Sequence, residues 1–276
     1  SVYVENAHSR WITQFELHSN VAETYNLTIA HASTSDLRII FCSPTVEALS
    51  VDWAPVGLYL TGDRSVISNT SISRAREFGI YVSQSRASFD QLHLNNCAMG
   101  LYAYYGFMDF SNIDINDCQY GIYAIYSVFS VSASWVNRSS GAGMYIIDST
   151  IEIFGGQIMN STTALDAQAS SVWIESFAMV GNNVGLKSTG CAPVLLNCTL
   201  LNNMDVQVER GSSASLVNCT LDQAKTFIKI SGYIDLGDWA DVIVVDEALE
   251  PVPGCNVSIR DSKDQVSASG MTVRPA

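Results

Sequence analysis

The chain has 276 residues, of which 47% are hydrophobic and 15% charged, so it can bury a substantial core and is not a disordered chain. Its net charge of -13 repels nucleic acid and anionic membranes, which excludes a nucleic-acid partner. It contains no apolar run of the ~18 residues that a membrane span needs. Its first residues lack the basic and apolar regions of a signal peptide, so a soluble mature form or an excised fragment is expected.

Residues 1–55 contain strand-like apolar runs at 27–29, 37–41 and 48–51. These runs lack the motif that marks the rest of the chain. An open solenoid end exposes unpaired strand edges and needs covering. We therefore expect residues 1–55 to form the first coils and an N-terminal cap.

Residues 56–236 repeat a four-residue motif: a small residue, an apolar residue, Tyr and another apolar residue. Clear copies begin at Gly57, Gly79, Gly100, Gly121 and Gly143. Weaker copies begin at Ala164, Gly185, Asp205 and Phe227. Successive copies are 20 to 22 residues apart, which is too short for a propeller blade or a helical pair. The chain is therefore predicted to be a solenoid.

Apolar residues alternate with period two within each repeat, as in Leu58/Leu60 and Ile80/Val82, which is typical of strands with one face inward. A second alternating stretch and a third short apolar piece follow in each repeat, separated by turns rich in Asn, Gly and Ser. Three short strands per repeat predict a three-sided coil. The predicted fold class is all-β: a right-handed, single-stranded parallel β-helix with coils of about 21 residues.

Residues 237–276 do not continue the period. Apolar runs at 241–246 and 251–259 are followed by a turn at 261–264 and differ from the repeats. We expect a short β-rich C-terminal extension that resembles the opening of a small β-sandwich module.

The Gly-Ile-Tyr repeats, followed by a second strand of the form Asn-x-x-Ile/Leu-x-Ile/Leu, resemble the right-handed parallel β-helix superfamily of pectate-lyase-like enzymes and NosD-like repeat proteins. The acidic, Ser/Thr-rich composition also resembles that of archaeal cell-surface β-helix proteins. The resemblance covers about residues 56–235. It implies a fold more than a function, because this superfold includes lyases, glycosidases, adhesins and structural proteins.

Polar residues and cysteines recur at the predicted corners. Amide side chains share one slot at Asn69, Gln91, Asn112 and Asn197, and another at Asn95, Asn116 and Asn137. Stacked amides can hydrogen-bond along a solenoid axis, so these ladders are interpreted as architectural. Cys97 and Cys118 share a slot, as do Cys198 and Cys219. Either pair can be a disulfide between adjacent coils or two buried, stacked thiols.

A ladder of tyrosines is the main candidate binding surface. It consists of Tyr59, Tyr81, Tyr102, Tyr123 and Tyr145 on the outward face, with Tyr104 in the next outward row. Tyr105, Phe107, Tyr126 and Phe129 are expected to extend the aromatic surface. The strip could bind a polysaccharide by ring stacking, dock another surface protein or a second copy, or stabilise the sheet by stacking on itself.

Catalytic residues are not evident on this outward face, which carries no stacked pair of carboxylates. The alternative is a constellation of Asp166, Lys187 and Glu209 on three consecutive coils, which is interpreted mainly as an exposed ladder of alternating charge. The four histidines are too scattered for a metal site. No cofactor is expected, and Ca²⁺ enters only if the chain is a lyase.

Seven Asn-X-Ser/Thr sequons exceed the number expected from composition. They lie at Asn26, Asn69, Asn137, Asn160, Asn197, Asn218 and Asn256. This excess predicts a secreted or cell-surface glycoprotein. The favoured function is a non-catalytic structural or adhesion module, with a polysaccharide lyase, a glycosidase or a carbohydrate-binding module as the alternatives.

Overall fold

The computed structural model describes residues 45–46, 49–62, 64–229 and 231–237 with their side chains. It also describes the backbone of residue 47 and of the short strands at 3–4, 14–18, 23–25, 28–29, 36–40, 256–260 and 266–271.

The described residues form strands and one short 3₁₀ helix. In chain order the strands are β1 Tyr3–Val4, β2 Gln14–His18, β3 Glu23–Tyr25, β4 Thr28–Ile29, β5 Asp36–Ile40, β6 Thr45–Glu47, β7 Ser50–Asp52, β8 Val56–Thr61, β9 Arg64–Ser73, β10 Phe78–Ser83, β11 Arg86–Asn95, β12 Met99–Tyr104, β13 Phe107–Asn116, β14 Tyr120–Ile125, β15 Val128–Asn137, β16 Ala142–Ile147, β17 Thr150–Met159, β18 Thr163–Gln168, β19 Ser171–Val180, β20 Val184–Thr189, β21 Val194–Leu196, β22 Thr199–Leu201, β23 Met204–Glu209, β24 Ser213–Val217, β25 Thr226–Ile228, β26 Tyr233–Gly237, β27 Asn256–Arg260 and β28 Val266–Met271. The 3₁₀ helix is Gln223–Lys225.

Strands stack one coil above the next in two long parallel sheets. One sheet has 11 strands and runs from β2 to β25, and the other has 15 strands and includes the long strands β9, β11, β13, β15, β17 and β19. Register partners lie one repeat apart, as in Tyr81 with Tyr102. The predicted all-β parallel solenoid with coils of about 21 residues is therefore confirmed.

Each central coil turns at three residues with left-handed backbone conformation. In one coil these are Gln84, Gln91 and Asn96, with φ of 52°, 54° and 55°. The middle residue falls inside a ten-residue strand and bends it, so that two of the three strands expected per coil are joined into one bent strand. Three corners per coil give the three-sided cross-section that the turn pattern predicted.

The core is a continuous column of inward side chains. Leu58, Ile80, Leu101 and Ile122 are completely buried on successive coils. A second column contains Phe89 stacked on Phe110 with ring centroids 5.0 Å apart. Burial of these aligned apolar residues is the main stabilising contribution to the fold.

The two ends of the chain differ from the central coils. In the N-terminal 55 residues, β5 pairs in parallel with both β2 and β8, so these strands belong to the 11-stranded sheet. The contacts divide the chain into two compact units, Ser1–Gly237 and Asp238–Ala276. In the second unit, β27 and β28 form an antiparallel pair. The predicted strand at 241–246 lies outside the described residues, and the β-sandwich module stays a prediction.

Candidate functional site

The tyrosine ladder runs along the outer face of the 11-stranded sheet. Its five side chains lie in register on consecutive strands from β8 to β16. Ring centroids are 4.7 Å apart for Tyr59 and Tyr81, 5.3 Å for Tyr81 and Tyr102, 5.5 Å for Tyr102 and Tyr123, and 4.9 Å for Tyr123 and Tyr145. Four of the rings therefore form a continuous stack, and the fifth, Tyr145, contacts Tyr123 at an interplanar angle of 40°.

The faces of the inner tyrosine rings are occupied within the protein. Phe78 contacts Tyr81 and Tyr102 with ring centroids 5.4 and 5.1 Å apart, and Tyr120 contacts Tyr123 edge-on at 5.4 Å. A sugar that stacks on an aromatic side chain needs a free ring face. The inner rings therefore expose mainly their edges and hydroxyl groups to a ligand. Ligand binding by the ladder stays a prediction, and it would have to use these edges and hydroxyl groups.

A second aromatic cluster lies at the adjacent corner. Tyr104 contacts Tyr105, and Tyr105 stacks on Tyr126 with centroids 5.0 Å apart. Tyr105 is 46% exposed, and Phe107 is 51% exposed. The expectation that Phe129 belongs to this surface was wrong, because Phe129 is only 3% exposed and lies in the core. The left-handed Tyr126 at the corner changes the phase of the alternation, so that Phe129 points inward.

The predicted charged constellation is only partly assembled. Lys187 Nζ lies 2.8 Å from Asp166 Oδ2, but Asp166 is only 7% exposed and is not part of an exposed ladder. Glu209 lies in the next outward row, and its carboxylate accepts a hydrogen bond from Gln207 and lies 3.6 Å from Lys229 Nζ. The Gln207 hydrogen bond, followed by the lysine charges, holds the pKa of Glu209 below its usual range. Each carboxylate is thus paired with its own lysine, which is the arrangement of structural ion pairs.

A groove crosses the other sheet on the first limb of the bent strands. It has a volume of ≈ 570 Å³ and spans five coils, from β9 to β17. Its outward lining residues are Arg64, Val66, Arg86, Ser88, Phe107, Asp109, Val128, Ser130, Thr150 and Glu152. Of these residues only Phe107 was predicted from the sequence to lie on a binding surface, as part of the aromatic surface around the tyrosines. We refer to this surface as the arginine–acid groove.

The cationic end of the groove is formed by two arginines on neighbouring coils. Arg64 and Arg86 are in register on β9 and β11, and both are exposed. The Arg86 guanidinium carbon lies 5.2 Å from the centre of the Phe107 ring, so the ring is held beside the arginines. Two adjacent guanidinium groups present several hydrogen-bond donors to an acceptor-rich ligand.

A serine hydroxyl group holds one carboxylate of the groove, Asp109, and a similar contact holds Asp90 beside the groove. Ser130 donates a hydrogen bond of 2.8 Å to Asp109, and Ser111 donates one of 2.8 Å to Asp90 on the same sheet face. Hydrogen bonds from Asn112 and then Ser111 lower the pKa of Asp90. Glu152 lies in the same outward row as Asp109, two coils further along. The groove therefore combines the hydrogen-bond acceptors of Asp109 and Glu152 with the arginine donors and one exposed aromatic ring, that of Phe107.

Four of the seven sequon asparagines occupy corners that favour asparagine for conformational reasons. Asn69, Asn160, Asn197 and Asn218 have φ between 49° and 53°, and short amide side chains tolerate this region better than most. Asn218 Nδ2 donates to Asn197 Oδ1 at 2.7 Å, and Asn160 Nδ2 donates to Asn137 Oδ1 at 3.1 Å. Turn geometry thus accounts for part of the sequon excess, and glycosylation stays a prediction.

Two of the seven sequons cannot be placed in this way. Asn26 lies outside the described residues, and only the backbone of Asn256 is described, in β27.

The described residues contain neither a cluster of metal ligands nor a membrane-spanning helix. Among the residues with described side chains, no three His, Cys, Asp or Glu side chains are grouped as metal ligands would be. The nearest approach of a histidine to a carboxylate there is His93 Nδ1, 3.7 Å from Asp114 Oδ2, on the outer surface. No helix within the described part of the chain is long and apolar enough to cross a membrane.

Comparison with protein families gives a match to the family described as the right handed beta helix region, over residues 17–171. The match covers more than half of the chain. The chain belongs to this family. The predicted right-handed β-helix is therefore confirmed, and no curated protein sequence shows significant similarity to the chain.

Solved structures share the fold of this right-handed β-helix at low sequence identity. The full-length tailspike protein 2 from Escherichia coli O157:H7 bacteriophage CAB120 superposes with a TM-score of 0.67 and 13% identity, over 94% of this chain and 46% of the tailspike. The catalytic unit of a GH87 α-1,3-glucanase from Streptomyces thermodiastaticus gives a TM-score of 0.58 and 14% identity, over 83% of this chain and 63% of the glucanase. The chain thus spans less than two thirds of either protein.

Proposed function

We propose that this β-helix is a non-catalytic adhesion module of a secreted or cell-surface protein and binds a polysaccharide in the arginine–acid groove. The observation that carries the proposal is the composition of the groove: across five coils it presents two arginines in register, an exposed phenyl ring, the serine-bound carboxylate of Asp109 and the carboxylate of Glu152. Binding sites for polar ligands combine concave shape with a few fixed donors and acceptors, as this groove does.

The groove chemistry matches the chemical groups of a glycan. Carboxylates such as Asp109 accept hydrogen bonds from sugar hydroxyl groups, and a ring such as Phe107 packs against the apolar face of a sugar. The arginines bind hydroxyl oxygens and, bidentately, the carboxylate of an acidic sugar. The five coils extend over about 20 Å at a strand spacing of ~4.8 Å, which suits a chain rather than a single sugar.

Other observations support a surface location and a glycan ligand. The seven sequons favour export, although several also satisfy turn geometry. One protein of similar fold is the catalytic unit of an α-1,3-glucanase, which acts on a glycan. Docking to other surface proteins or to a second copy remains the alternative partner class, with the exposed cluster around Tyr105 as the candidate contact.

The test is affinity electrophoresis of the full chain in gels containing polygalacturonate or the neutral polysaccharide dextran. We expect retardation, stronger with polygalacturonate, and at least tenfold weaker binding for Arg86→Ala, about the loss expected from one charged hydrogen bond. Arg76→Ala is the matched control, because Arg76 is exposed but does not line the groove. Equal binding by the Arg64→Ala/Arg86→Ala double variant and the wild type would refute the groove as the binding site.

A catalytic function is the second candidate, and the placement of Asp109 and Glu152 favours it. They lie in one outward row, two coils apart, so their backbones are roughly 10 Å apart. This distance is close to the separation of the two catalytic carboxyl groups in inverting glycosidases. Release of new reducing ends from a polysaccharide by the wild type without formation of unsaturated sugar ends, abolished by Asp109→Asn and by Glu152→Gln, would establish hydrolysis. Binding without such release would support the adhesion module.

A further inference from the structure

Two pairs of cysteines are stacked on neighbouring coils of the solenoid. Cys198 and Cys219 each follow a corner asparagine. Strand pairing of the residues before and after each cysteine fixes their relative positions. Leu196 is in register with Val217 before the pair, and Thr199 forms a bridge with Thr220 after it. The Thr220 amide donates to the Cys198 carbonyl at 2.8 Å, so the two cysteines lie directly above one another.

Adjacent strands bring such a pair within reach of a covalent bond. The strand spacing of ~4.8 Å falls inside the Cα separations of about 4.4–6.8 Å seen in disulfides. Both thiols are free and make weak hydrogen bonds to carbonyl oxygens, the shortest being Cys198 Sγ to Leu196 O at 3.2 Å and Cys219 Sγ to Val217 O at 3.4 Å. Rotation of one side chain costs little, because a thiol is a weak donor.

The second pair provides an internal comparison. Cys97 and Cys118 are stacked in the same way, with thiols 3.5 and 3.3 Å from the carbonyls of Asn95 and Asn116. Both are almost fully buried, at 3% and 2% exposure. Cys97 Sγ also fits against Gly79, where an added Cβ would lie only 3.3 Å from the sulfur. This pair is enclosed by the core, whereas Cys219 is partly exposed.

We propose that Cys198 and Cys219 form a disulfide that joins two neighbouring coils when the protein meets an oxidising environment, while Cys97 and Cys118 remain thiols. The geometry and the accessibility of Cys219 carry this proposal. It goes beyond glycan binding and does not depend on it. The disulfide would link residues on either side of β23, near the C-terminal end of the described coils.

The chemistry requires an oxidant, for which we name glutathione disulfide. The Cys219 thiolate attacks one sulfur of glutathione disulfide, breaks its S–S bond and releases one glutathione thiolate. Cys198 then loses its proton and attacks the Cys219 sulfur, which releases the second glutathione. Two cysteine thiols are oxidised and one glutathione disulfide is reduced to two thiols. The hydrogen-bonding interaction with Cys198 lowers the pKa of Cys219 to about 7, which favours the attacking thiolate near neutral pH.

The experiment exposes the folded, full-length chain to glutathione redox buffers of increasing oxidising strength. A first alkylating label marks the thiols that are accessible in the folded chain. The chain is then unfolded, a second label marks the thiols that were buried, and the peptides are mapped by mass spectrometry without reduction. We expect a cross-linked peptide pair containing Cys198 and Cys219, and Cys97 and Cys118 labelled only after unfolding. Cys198→Ser should instead trap a glutathione adduct on Cys219.

Three results would overturn the proposal. They are free thiols at both Cys198 and Cys219 in the most oxidising buffer, a different partner for Cys219 such as Cys191, or earlier oxidation of Cys97 with Cys118. A thermal scan gives an independent readout. Oxidation should raise the unfolding temperature of the wild type and leave that of Cys219→Ser unchanged, because only the wild type gains a loop-closing cross-link.

Discussion

Glycine in the repeat motif is required by the close approach of neighbouring coils. A Cβ on Gly100 would lie 2.6 Å from the Gly121 carbonyl oxygen and 2.9 Å from Ile115 Cγ2. The same contact recurs one coil earlier, where a Cβ on Gly79 would lie 2.5 Å from the Gly100 oxygen. The glycine that opens the clear copies of the motif is therefore a packing requirement of the stacked strands, not a turn signal.

Gly100→Ala is predicted to lower the free energy of unfolding by about 1–3 kcal/mol, because the backbone oxygen it meets cannot move without shifting a whole coil. Urea unfolding followed by circular dichroism measures the change. Gly237→Ala is the control, since its Cβ would meet only Val217 Cγ2, at 3.8 Å, and we expect little effect. Equal stability of Gly100→Ala and the wild type would contradict this account of the motif.

Asp205 is a completely buried residue that ends a ladder of polar side chains. Its carboxylate accepts hydrogen bonds from the backbone amides of Asn202, at 2.7 Å, and Asp222, at 2.8 Å. Asn202 in turn accepts one from Asn182 Nδ2 at 2.8 Å. The weak repeat copy that begins at Asp205 therefore carries a structural carboxylate where the clear copies carry glycine.

Asp205→Ala is predicted to destabilise the protein by about 3 kcal/mol, because it leaves the buried amide of Asn202 and the partly buried amide of Asp222 without an acceptor. Differential scanning calorimetry would show the loss as a lower unfolding temperature. Asp235→Ala removes an exposed carboxylate and serves as the control. A similar small shift for both variants would argue against the buried role.

At the scale of the element, the tyrosine ladder stabilises the 11-stranded sheet. Stacked aromatic pairs contribute about 0.5–1.5 kcal/mol beyond their buried area. Partial burial raises the pKa of Tyr102 and of Tyr123, with further contributions from neighbouring tyrosines. The ladder therefore favours neutral phenol groups and resists ionisation.

The ladder predicts a loss of stability at alkaline pH. A pKa that is higher in the folded than in the unfolded state gives a contribution that is present below the unfolded value, about 10 for tyrosine, and is lost as pH rises through the folded value. Urea unfolding between pH 8 and 11 should show this decline, and Tyr102→Ser/Tyr123→Ser should reduce its slope while folding at pH 8 is retained. An unchanged slope would contradict the prediction. If the double variant also loses polysaccharide binding, the ladder is part of the binding surface.

For the whole molecule, the described coils form a one-dimensional array in which each coil contacts only its neighbours. The central long strands are buried on their inner face along their full length, as in β11 and β13. Towards the C-terminal end the strands shorten, and Phe227, Ile228 and Leu236 are 46%, 50% and 47% exposed. Local stability in such arrays follows the contacts of each repeat with its neighbours.

Hydrogen exchange measured by mass spectrometry is predicted to show this gradient. Amides of β11, β13 and β15 should exchange most slowly, and those of β25 and β26 at least tenfold faster, because β25 and β26 are short strands with exposed side chains such as Ile228 and Leu236. Uniform protection along the solenoid would indicate a single cooperative unit instead.

The same sample, analysed by light scattering and by mass with and without deglycosylation, would test the predicted assembly and sequon occupancy.

The sequence by itself determined the solenoid, its period and the inward rows, since apolar alternation and a fixed spacing are properties of the chain alone. Leu58, Ile80 and Ile122 are buried as the pattern predicts. The five-tyrosine ladder also follows from the period. The family match and the parallel register agree with these predictions.

Only the tertiary structure decided which outward residues share a face. The long strands bend at a left-handed residue that is Asn112 in one coil but Ala133 and Ser176 in others, and alanine and serine carry no strong turn signal. Each bend and each corner shifts the alternation of inward and outward side chains. At the corner before β15 this shift places Phe129 on the inward side. The arginine–acid groove could not be found from the tyrosine row alone, because its residues come together only when five bent strands stack on one side of the solenoid.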